Sequence, residues 1–305
     1  MRVLIVKTSS LGSVLNTLPA ITDACLAKPN VQFDWVVEED FTEIPKWHPA
    51  VEQVIPVAIR RWRKRPFKFW GSQEVRHFKN MVRKHHYDLV IDAQGLLKSA
   101  WVARQVKAPI AGFDRDSARE PWAAMAYQHR IYVSPSQDPV TRLRELFSKA
   151  LDYRLPKSFP DYGINHRLLA GSPLDSAYLV MMQDSVKQRD TMSVEDWRVL
   201  VSKVVAAGYR VKLPWVTPEG KQRAKDIAAG FDQVELLPKV NLRGLASVLL
   251  QSRGSLVLDN GYSALGDALS VPTLLLRAGA GKDQSVDISK GVDAICERVL
   301  SEFHR

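Results

Sequence analysis

The chain lacks any apolar run near the roughly 20 residues that a helix needs to cross a bilayer. Polar residues 7–10 interrupt the first apolar run, so we expect no secretory signal. Cysteine is scarce as well. Cys25 and Cys296 lie at opposite ends in helix-like settings, which predicts two buried thiols rather than a disulfide or a metal site. These features favour a globular protein of the cytoplasm.

Acidic residues are in the minority. The 305 residues include 43 lysines and arginines against 33 aspartates and glutamates, giving a net charge of +10. Such an excess favours a negatively charged partner, either nucleic acid, anionic lipid or a phosphorylated glycolipid, although it can also be spread over a solvated surface. The hydrophobic fraction of 46% is typical of a globular chain, and the length is sufficient for two domains.

The start of the chain carries the clearest local pattern. Residues 2–7 form an almost unbroken apolar run, as in a strand buried on both faces of a parallel sheet. A polar turn, residues 8–13, leads into a helical pattern that places Val14, Leu15, Leu18 and Ile21 on one side. A strand, a small-residue turn and a helix N-terminus together predict an anion-binding position.

Strand-like and helix-like segments then alternate in two runs. Strands are predicted at residues 2–7, 31–37, 51–59, 87–92, 110–113, 177–182, 209–213, 234–237, 256–258 and 273–276. A helix opening near residue 117 and a closing helix at 286–303 are also predicted. Periodicity lapses at 153–162, which contains Pro156 and Pro160 and is the predicted hinge. The pattern predicts an α/β protein with two doubly wound Rossmann-like domains, 1–152 and 163–305, facing across a cleft.

The densest charge run is residues 60–70, where six cations alternate with four aromatic residues. The pattern suits a membrane surface, with rings at the interface and cations on anionic headgroups. It also suits nucleic acid, through base stacking and phosphate contacts. A third interpretation is an exposed loop whose rings pack onto the domain.

Several segments carry a resemblance to a known family. The opening MRVLIVKTSSLGSVLNTLPAITDA, the segment PVAIRRWRK, the segment YDLVIDAQGLLKSA and the short AREP resemble lipopolysaccharide heptosyltransferase I, a family of GT-B glycosyltransferases. The similarity extends over nearly the whole chain, and it is close up to about Pro121 and looser beyond. It implies inverting transfer of heptose from ADP-heptose to a Kdo hydroxyl on lipid A at the inner membrane, without a metal.

The resemblance also implies roles for individual residues. The family has an aspartate, the expected catalytic base, where this chain has Ser13. The acceptor, an anionic glycolipid, is expected at Arg60, Arg61, Arg63, Lys64 and Arg119. The donor is expected at Ser9, Ser10, Gly12, Lys187, Arg189, Glu219, Asp259, Asn260 and Gly261.

The chain departs from the family pattern at a related set of positions. Besides Ser13, Asp190 replaces a lysine, Gly220 replaces a glutamate and Ala264 replaces a histidine. These changes fall on the base and on the donor contacts, so we expect a heptosyltransferase-like protein with impaired transfer that binds glycolipid or a protein partner. The alternatives are an active glycosyltransferase that uses another nucleotide-sugar donor or a relocated base, for which Asp92 is a candidate, and a nucleic-acid-binding protein using residues 60–70.

Overall fold

The computed structural model describes residues 1–64, 72–169, 178–184, 192–258, 260–278 and 285–303. The chain divides into two compact units, unit 1 (Met1–Asn165) and unit 2 (His166–Arg305). Across those described ranges, every helix is too short or too polar to span a membrane.

Unit 1 is built on a six-stranded parallel sheet. Its strands are β1 (Arg2–Val6), β2 (Gln32–Glu38), β3 (Val51–Val57), β4 (Leu89–Asp92), β5 (Ile110–Phe113) and β6 (His129–Ile131). The order across the sheet is β3-β2-β1-β4-β5-β6. The chain therefore leaves β1 in one direction and returns on its other side at β4. Such a switch point leaves a crevice at the carboxyl ends of the strands, where open α/β sheets bind ligands.

Burial explains why the central strands were readable in the sequence. Every residue of β4 and β5 is buried, as is all of β1 after Arg2, so apolar side chains are required on both faces. β3 is at the edge of the sheet and has β2 as its one neighbour in the described sheet, and an edge strand is where a proline, which lacks the N–H, is accommodated. β6 has only three residues and no apolar alternation, so its sequence does not predict a strand.

The helices of unit 1 flank this sheet. They are α1 (Leu11–Leu15), α2 (Leu18–Ala27), α3 (Ile59–Trp62), α4 (Gln73–Val82), α5 (Leu97–Ala103) and α6 (Pro139–Ala150). Short 3₁₀ helices occupy Glu39–Phe41, Pro45–Trp47 and Pro121–Ala126. The helix predicted near residue 117 is therefore wrong in type and start, because regular structure begins only at Pro121 and is 3₁₀.

The single helix predicted after the first turn is in fact two helices. α1 ends at Leu15, and α2 begins at Leu18 with Pro19 in its first turn. Proline has no N–H to donate to the carbonyl four residues back, so Pro19 cannot continue α1 and is instead accommodated in the first turn of α2. The apolar side was correctly predicted, because Val14, Leu15, Leu18 and Ile21 are all buried.

A buried ion pair fixes α6 against α2. Arg144 Nε lies 2.6 Å from Asp23 Oδ2, and Arg144 Nη2 lies 3.2 Å from Asp23 Oδ1. Arg144 Nη1 also donates to the carbonyl of Ser158. Both charged side chains are almost fully buried, and a two-pronged arginine–carboxylate contact defines their geometry. This pair sets the position of the α6 N-terminal turn, which contributes to the candidate site.

Unit 2 repeats the architecture. Its strands are β7 (Tyr178–Met182), β8 (Arg210–Leu213), β9 (Val234–Leu236), β10 (Gly254–Val257), β11 (Thr273–Arg277) and β12 (Ser285–Asp287), in the order β12-β11-β10-β7-β8-β9. Its helices are α7 (His166–Leu169), α8 (Val194–Ala206), α9 (Pro218–Ala228), α10 (Leu242–Leu250), α11 (Asn260–Ala268) and α12 (Val292–Phe303), with a 3₁₀ helix at Ile288–Lys290. Two parallel sheets with flanking helices confirm the predicted doubly wound α/β class.

The end of unit 2 differs from the prediction. The closing helix predicted at 286–303 begins only at Val292, because Ser285–Asp287 extends the sheet as β12. Gly291 precedes the helix with φ +87°, a backbone conformation that glycine adopts without a side-chain clash. A three-residue strand has too little periodicity to be separated from a helix in the sequence.

Candidate functional site

A cavity of about 360 Å³ lies at the predicted ligand edge of unit 1. It is formed where β1, β4 and β5 end, with further walls from α1, the 114–120 loop and the start of α6. The lining residues are Lys7, Ser9, Ser13, Asn16, Ala93, Gln94, Leu96, Phe113, Ser117, Arg119, Pro135, Gln137, Pro139, Arg142 and Leu143. The cavity therefore lies at the switch point between β1 and β4.

Three cations line this cavity. Lys7 directly follows β1, and its Nζ donates to the carbonyl of Ala93 at 2.7 Å. Arg142 Nη2 donates to the carbonyl of Ser117 at 2.7 Å, and the guanidinium lies 4.9 Å from the centre of the Phe113 ring. Arg119 is exposed on the adjoining loop. Among the described residues none of the three cations forms an ion pair, so the cavity is strongly electropositive.

The ammonium of Lys7 has a lowered pKa. Burial is the main cause, the charges of Arg142 and Arg119 act in the same direction, and Asp92 opposes them, so that the pKa is about 8. Burial disfavours the charged form and neighbouring cations repel it. An anion in the cavity would relieve this repulsion, so the three cations make the cavity a candidate anion-binding site.

Asp92 lies beneath the cavity rather than in its lining. Its Oδ2 accepts the hydroxyl of Tyr127 at 2.7 Å, and its Oδ1 accepts the N–H groups of Gln94 and Gly95 at 3.0 and 3.3 Å. The carboxyl is completely buried, and this burial raises its pKa. Because both oxygens are hydrogen-bonded and inaccessible, Asp92 organises the turn after β4 and cannot reach a substrate hydroxyl.

Ser13 does line the cavity, from α1. A hydroxyl there can donate to or accept from an anionic sugar, but it does not remove a proton at neutral pH without an adjacent base. None of the cavity's described lining residues is an aspartate, a glutamate or a histidine. The cavity can therefore bind an anion, and its described lining offers neither a carboxylate nor an imidazole as a general base.

Hydrogen bonds from the turn before Ser13 to Gln94, which follows β4, hold that turn in position. Gln94 Oε1 accepts both the N–H and the hydroxyl of Thr8, at 2.7 and 2.9 Å. Ser9 Oγ lies 3.4 Å from Lys98 Nζ and lines the cavity. Ser10 is exposed and precedes α1, and Gly12 lies within it. Their donor-binding role stays a prediction, and Ser9 is the one of the three that reaches the cavity.

The predicted acceptor arginines on α3 are in a different electrostatic setting. Arg60 pairs with Asp40 at 3.2 Å. Arg61 pairs with Glu39 at 3.1 Å and with Glu74 at 2.8 Å, and these carboxylates raise its pKa. Neither arginine lines the cavity, whereas the fifth predicted acceptor residue, Arg119, does.

Arg63 and Lys64, the other two predicted acceptor residues, are exposed just after α3. Residues 65–71 lie outside the described ranges, so most of the basic and aromatic run is not placed. Of its rings only Trp62 is described, and it is buried, with its Nε1 donating to Glu74 Oε2 at 2.8 Å. A buried ring cannot stack on a base, so this residue gives no support to the nucleic-acid interpretation.

The predicted donor residues of unit 2 are only partly placed. Lys187, Arg189 and Asp259 lie outside the described residues, and Asn260 and Gly261 open the backbone of α11. Glu219 is exposed in the first turn of α9. Their donor-binding roles stay predictions.

The carboxylate of Asp184 explains why a glycine, Gly220, follows Glu219. Asp184 Oδ2 accepts the N–H groups of Val216 and Thr217 at 3.0 and 2.8 Å. A Cβ on Gly220 would overlap this carboxylate, so no side chain fits there. The family glutamate has no room at this position, and Glu219 is the adjacent carboxylate. No metal-binding group of three acidic, histidine or cysteine side chains occurs among the described residues.

Sequence reasoning missed two of the three cavity cations. Lys7 had a usable signal, because it ends a buried strand at the edge where ligands bind. Arg142 had none, since only the fold brings α6 to the end of β1.

Comparisons with known proteins agree with this fold. A family model described as Glycosyltransferase family 9 (heptosyltransferase) matches residues 75–278. Lipopolysaccharide heptosyltransferase 1 of Pseudomonas aeruginosa is 50% identical over 277 residues, covering 90% of this chain and 78% of that protein. The enzyme of the same name from Escherichia coli strain K12 is 45% identical over 296 residues, covering 94% and 93%.

A solved structure shows the same architecture. E. coli heptosyltransferase WaaC with ADP-2-deoxy-2-fluoro heptose superimposes with a TM-score of 0.92 and 40% identity, covering 99% of each chain. Its architecture is that of the GT-B glycosyltransferases. The chain belongs to glycosyltransferase family 9, the heptosyltransferases, as its resemblance to heptosyltransferase I predicted.

Proposed function

We propose that this chain is a heptosyltransferase-type protein of lipopolysaccharide core synthesis that binds an anionic acceptor sugar in the unit 1 cavity and transfers to it slowly. The observation that carries the proposal is the cavity itself, which has three cations and no carboxylate among its described lining residues. The cations suit the carboxylate of Kdo, and the likeness to a protein solved with an ADP-heptose analogue supports a nucleotide-heptose donor.

The slow transfer follows from the chemistry of Ser13. When a sugar hydroxyl attacks the anomeric carbon, its proton must leave as the new bond forms. A positioned general base contributes about 100- to 10,000-fold to such a step. Ser13 occupies the position where the resemblance implies an aspartate, and the buried Asp92 cannot replace it. Positioning of donor and acceptor remains, so we expect residual transfer rather than none.

The decisive experiment is Ser13→Asp with ADP-heptose as donor and Kdo-lipid A as acceptor. We expect kcat to rise about 100-fold or more, because a carboxylate is restored in the cavity. Asn16→Asp is the matched control, since it adds the same charge to the same cavity at a neighbouring position. Equal rates for wild type and Ser13→Asp, or an equal gain in the control, would contradict the proposal.

A fully active glycosyltransferase is the second candidate. Identities of 50% and 45% to two heptosyltransferases, over most of the chain, favour it. In that case a group other than residue 13 removes the proton. Wild-type kcat would then be high, and Ser13→Ala would leave it unchanged.

A further inference from the structure

A 3₁₀ helix next to the cavity presents two large apolar side chains to solvent. In a 3₁₀ helix the residues i and i+3 lie on one face, because there are three residues per turn. Trp122 and Met125 have this spacing within Pro121–Ala126, and they are 66% and 71% exposed. Ala123 and Ala124 are buried. The helix thus packs through its small residues and exposes its large ones.

A third apolar side chain is close by. Leu97, the first residue of α5, is 54% exposed. Its N–H donates to Glu120 Oε2 at 2.6 Å, and the N–H of Glu120 donates to the carbonyl of Gly95 at 3.0 Å. α5 and the 3₁₀ helix also pack against each other. We call Leu97, Trp122 and Met125 the apolar patch.

Cations border the apolar patch. The Arg115 guanidinium lies 5.8 Å from the centre of the Trp122 ring. Arg119 precedes the 3₁₀ helix and lines the cavity. Lys98 follows Leu97, and its charged neighbours include Arg60 and Arg63 as well as Glu38 and Glu120. The patch therefore adjoins the cavity through Arg119, and Lys98 places it near Arg60 and Arg63.

The acidic groups near the patch do not cancel this arrangement. Glu120, whose carboxylate accepts the Leu97 N–H, and Asp116 on the loop are fewer than the three bordering cations Lys98, Arg115 and Arg119. Unit 1 as a whole has 25 lysines and arginines against 17 aspartates and glutamates, so it holds eight of the ten excess positive charges. A tryptophan and a methionine among cations match the interface of an anionic bilayer, where rings sit at headgroup depth and cations meet phosphates.

We propose that the apolar patch inserts into the headgroup region of an anionic bilayer and is the membrane-docking surface of unit 1. This inference deepens the proposed function, since a lipid-anchored acceptor stays in the bilayer while its sugar must enter the cavity. Arg119 belongs both to the cavity lining and to the border of the patch, so an acceptor headgroup can reach the cavity beside the inserted side chains.

The test is co-sedimentation with vesicles of phosphatidylglycerol and phosphatidylcholine in equal parts, against pure phosphatidylcholine. We expect binding to the anionic vesicles only, weakened by 0.5 M salt. The double variant Trp122→Ser/Met125→Ser should lose about tenfold or more in partitioning, because the inserted apolar area is removed. Since both residues are exposed, the thermal midpoint should stay unchanged.

The matched control is the double variant Leu26→Ser/Phe159→Ser, which removes two apolar side chains that are 75% and 95% exposed elsewhere in unit 1. It should bind vesicles as the wild type does. Equal binding by the patch variant, an equal loss in the control, or no vesicle binding by the wild type would overturn the inference.

A separate measurement distinguishes this inference from the proposed function. Calorimetry with soluble Kdo reports on the cavity without any membrane. Wild type and patch variant should bind Kdo equally. If neither binds it, the proposed acceptor site fails, while the vesicle result still decides the role of the patch.

Discussion

Two groups of cations in unit 1 differ in how their charge is balanced. On α3, Arg60 and Arg61 point to carboxylates of the same unit, and Arg61 is held between two of them. In the cavity, the described partners of Lys7 and Arg142 are backbone carbonyls. Both groups are basic in the sequence, but only the second presents charge that the described part of the protein leaves without an ion-pair partner. The number of cations in a segment is therefore a poor measure of its capacity to bind an anion.

The largest change in affinity is expected when one cation is removed from each group in turn. Arg119→Met should weaken soluble Kdo binding by about 30-fold or more, because a charged hydrogen-bond donor to the anion is lost. Arg61→Met should change the affinity by less than about twofold, since its charge is already balanced by two carboxylates. Calorimetry measures both. Similar losses in the two variants would show that the cavity is not the main anion site.

The titration of Lys7 provides a pH test of the same contrast. Its pKa is lowered to about 8, so the ammonium is charged below that pH and neutral above it. A bound anion favours the charged form. Kdo binding should therefore be strongest below pH 8 and weaken by about tenfold as the pH rises to 9.5. The affinity of Lys7→Met should not vary over this range, whereas Arg119→Met should keep the pH dependence. A flat wild-type profile would contradict the role of Lys7.

The smallest expected effect comes from releasing Arg61. Glu74→Gln removes one of its carboxylate partners but keeps an oxygen to accept the Trp62 N–H. Binding of Kdo-lipid A should tighten by only about twofold, because exposed ion pairs are worth little. Glu145→Gln, which breaks the pair with Lys149, is the matched control. A tenfold gain in affinity would show that the carboxylates paired with Arg61 oppose acceptor binding.

Much of the fold was predictable because buried strands require runs of apolar residues, which are visible in the sequence. A strand with two buried faces, such as β1, must be apolar throughout, and the order of such strands predicts the ligand edge. The short strands β6 and β12 could not be predicted in this way, because three residues are too few to show a hydrophobic periodicity. The break between α1 and α2 was readable from Pro19 and was overlooked.

The candidate site was less predictable, because it depends on distant parts of the chain. Ser13 and Arg119 were identified through family resemblance. Arg142 reaches the cavity because α6 packs against α2, and the Arg144–Asp23 pair is one of the contacts between these helices. The charge of Arg61 is likewise balanced by two residues from different elements, Glu39 and Glu74. Side-chain partners of this kind are set by tertiary structure rather than by local pattern.

The central position of β1 has a consequence for synthesis of the protein. The first strand made lies in the middle of its sheet, and its neighbours β2 and β4 are translated later. Lys7 emerges first from the ribosome, but the cavity also needs Arg142, which emerges 135 residues afterwards. A nascent chain therefore has no complete anion pocket until nearly all of unit 1 has been made, and occupancy of the pocket reports that this unit has finished folding.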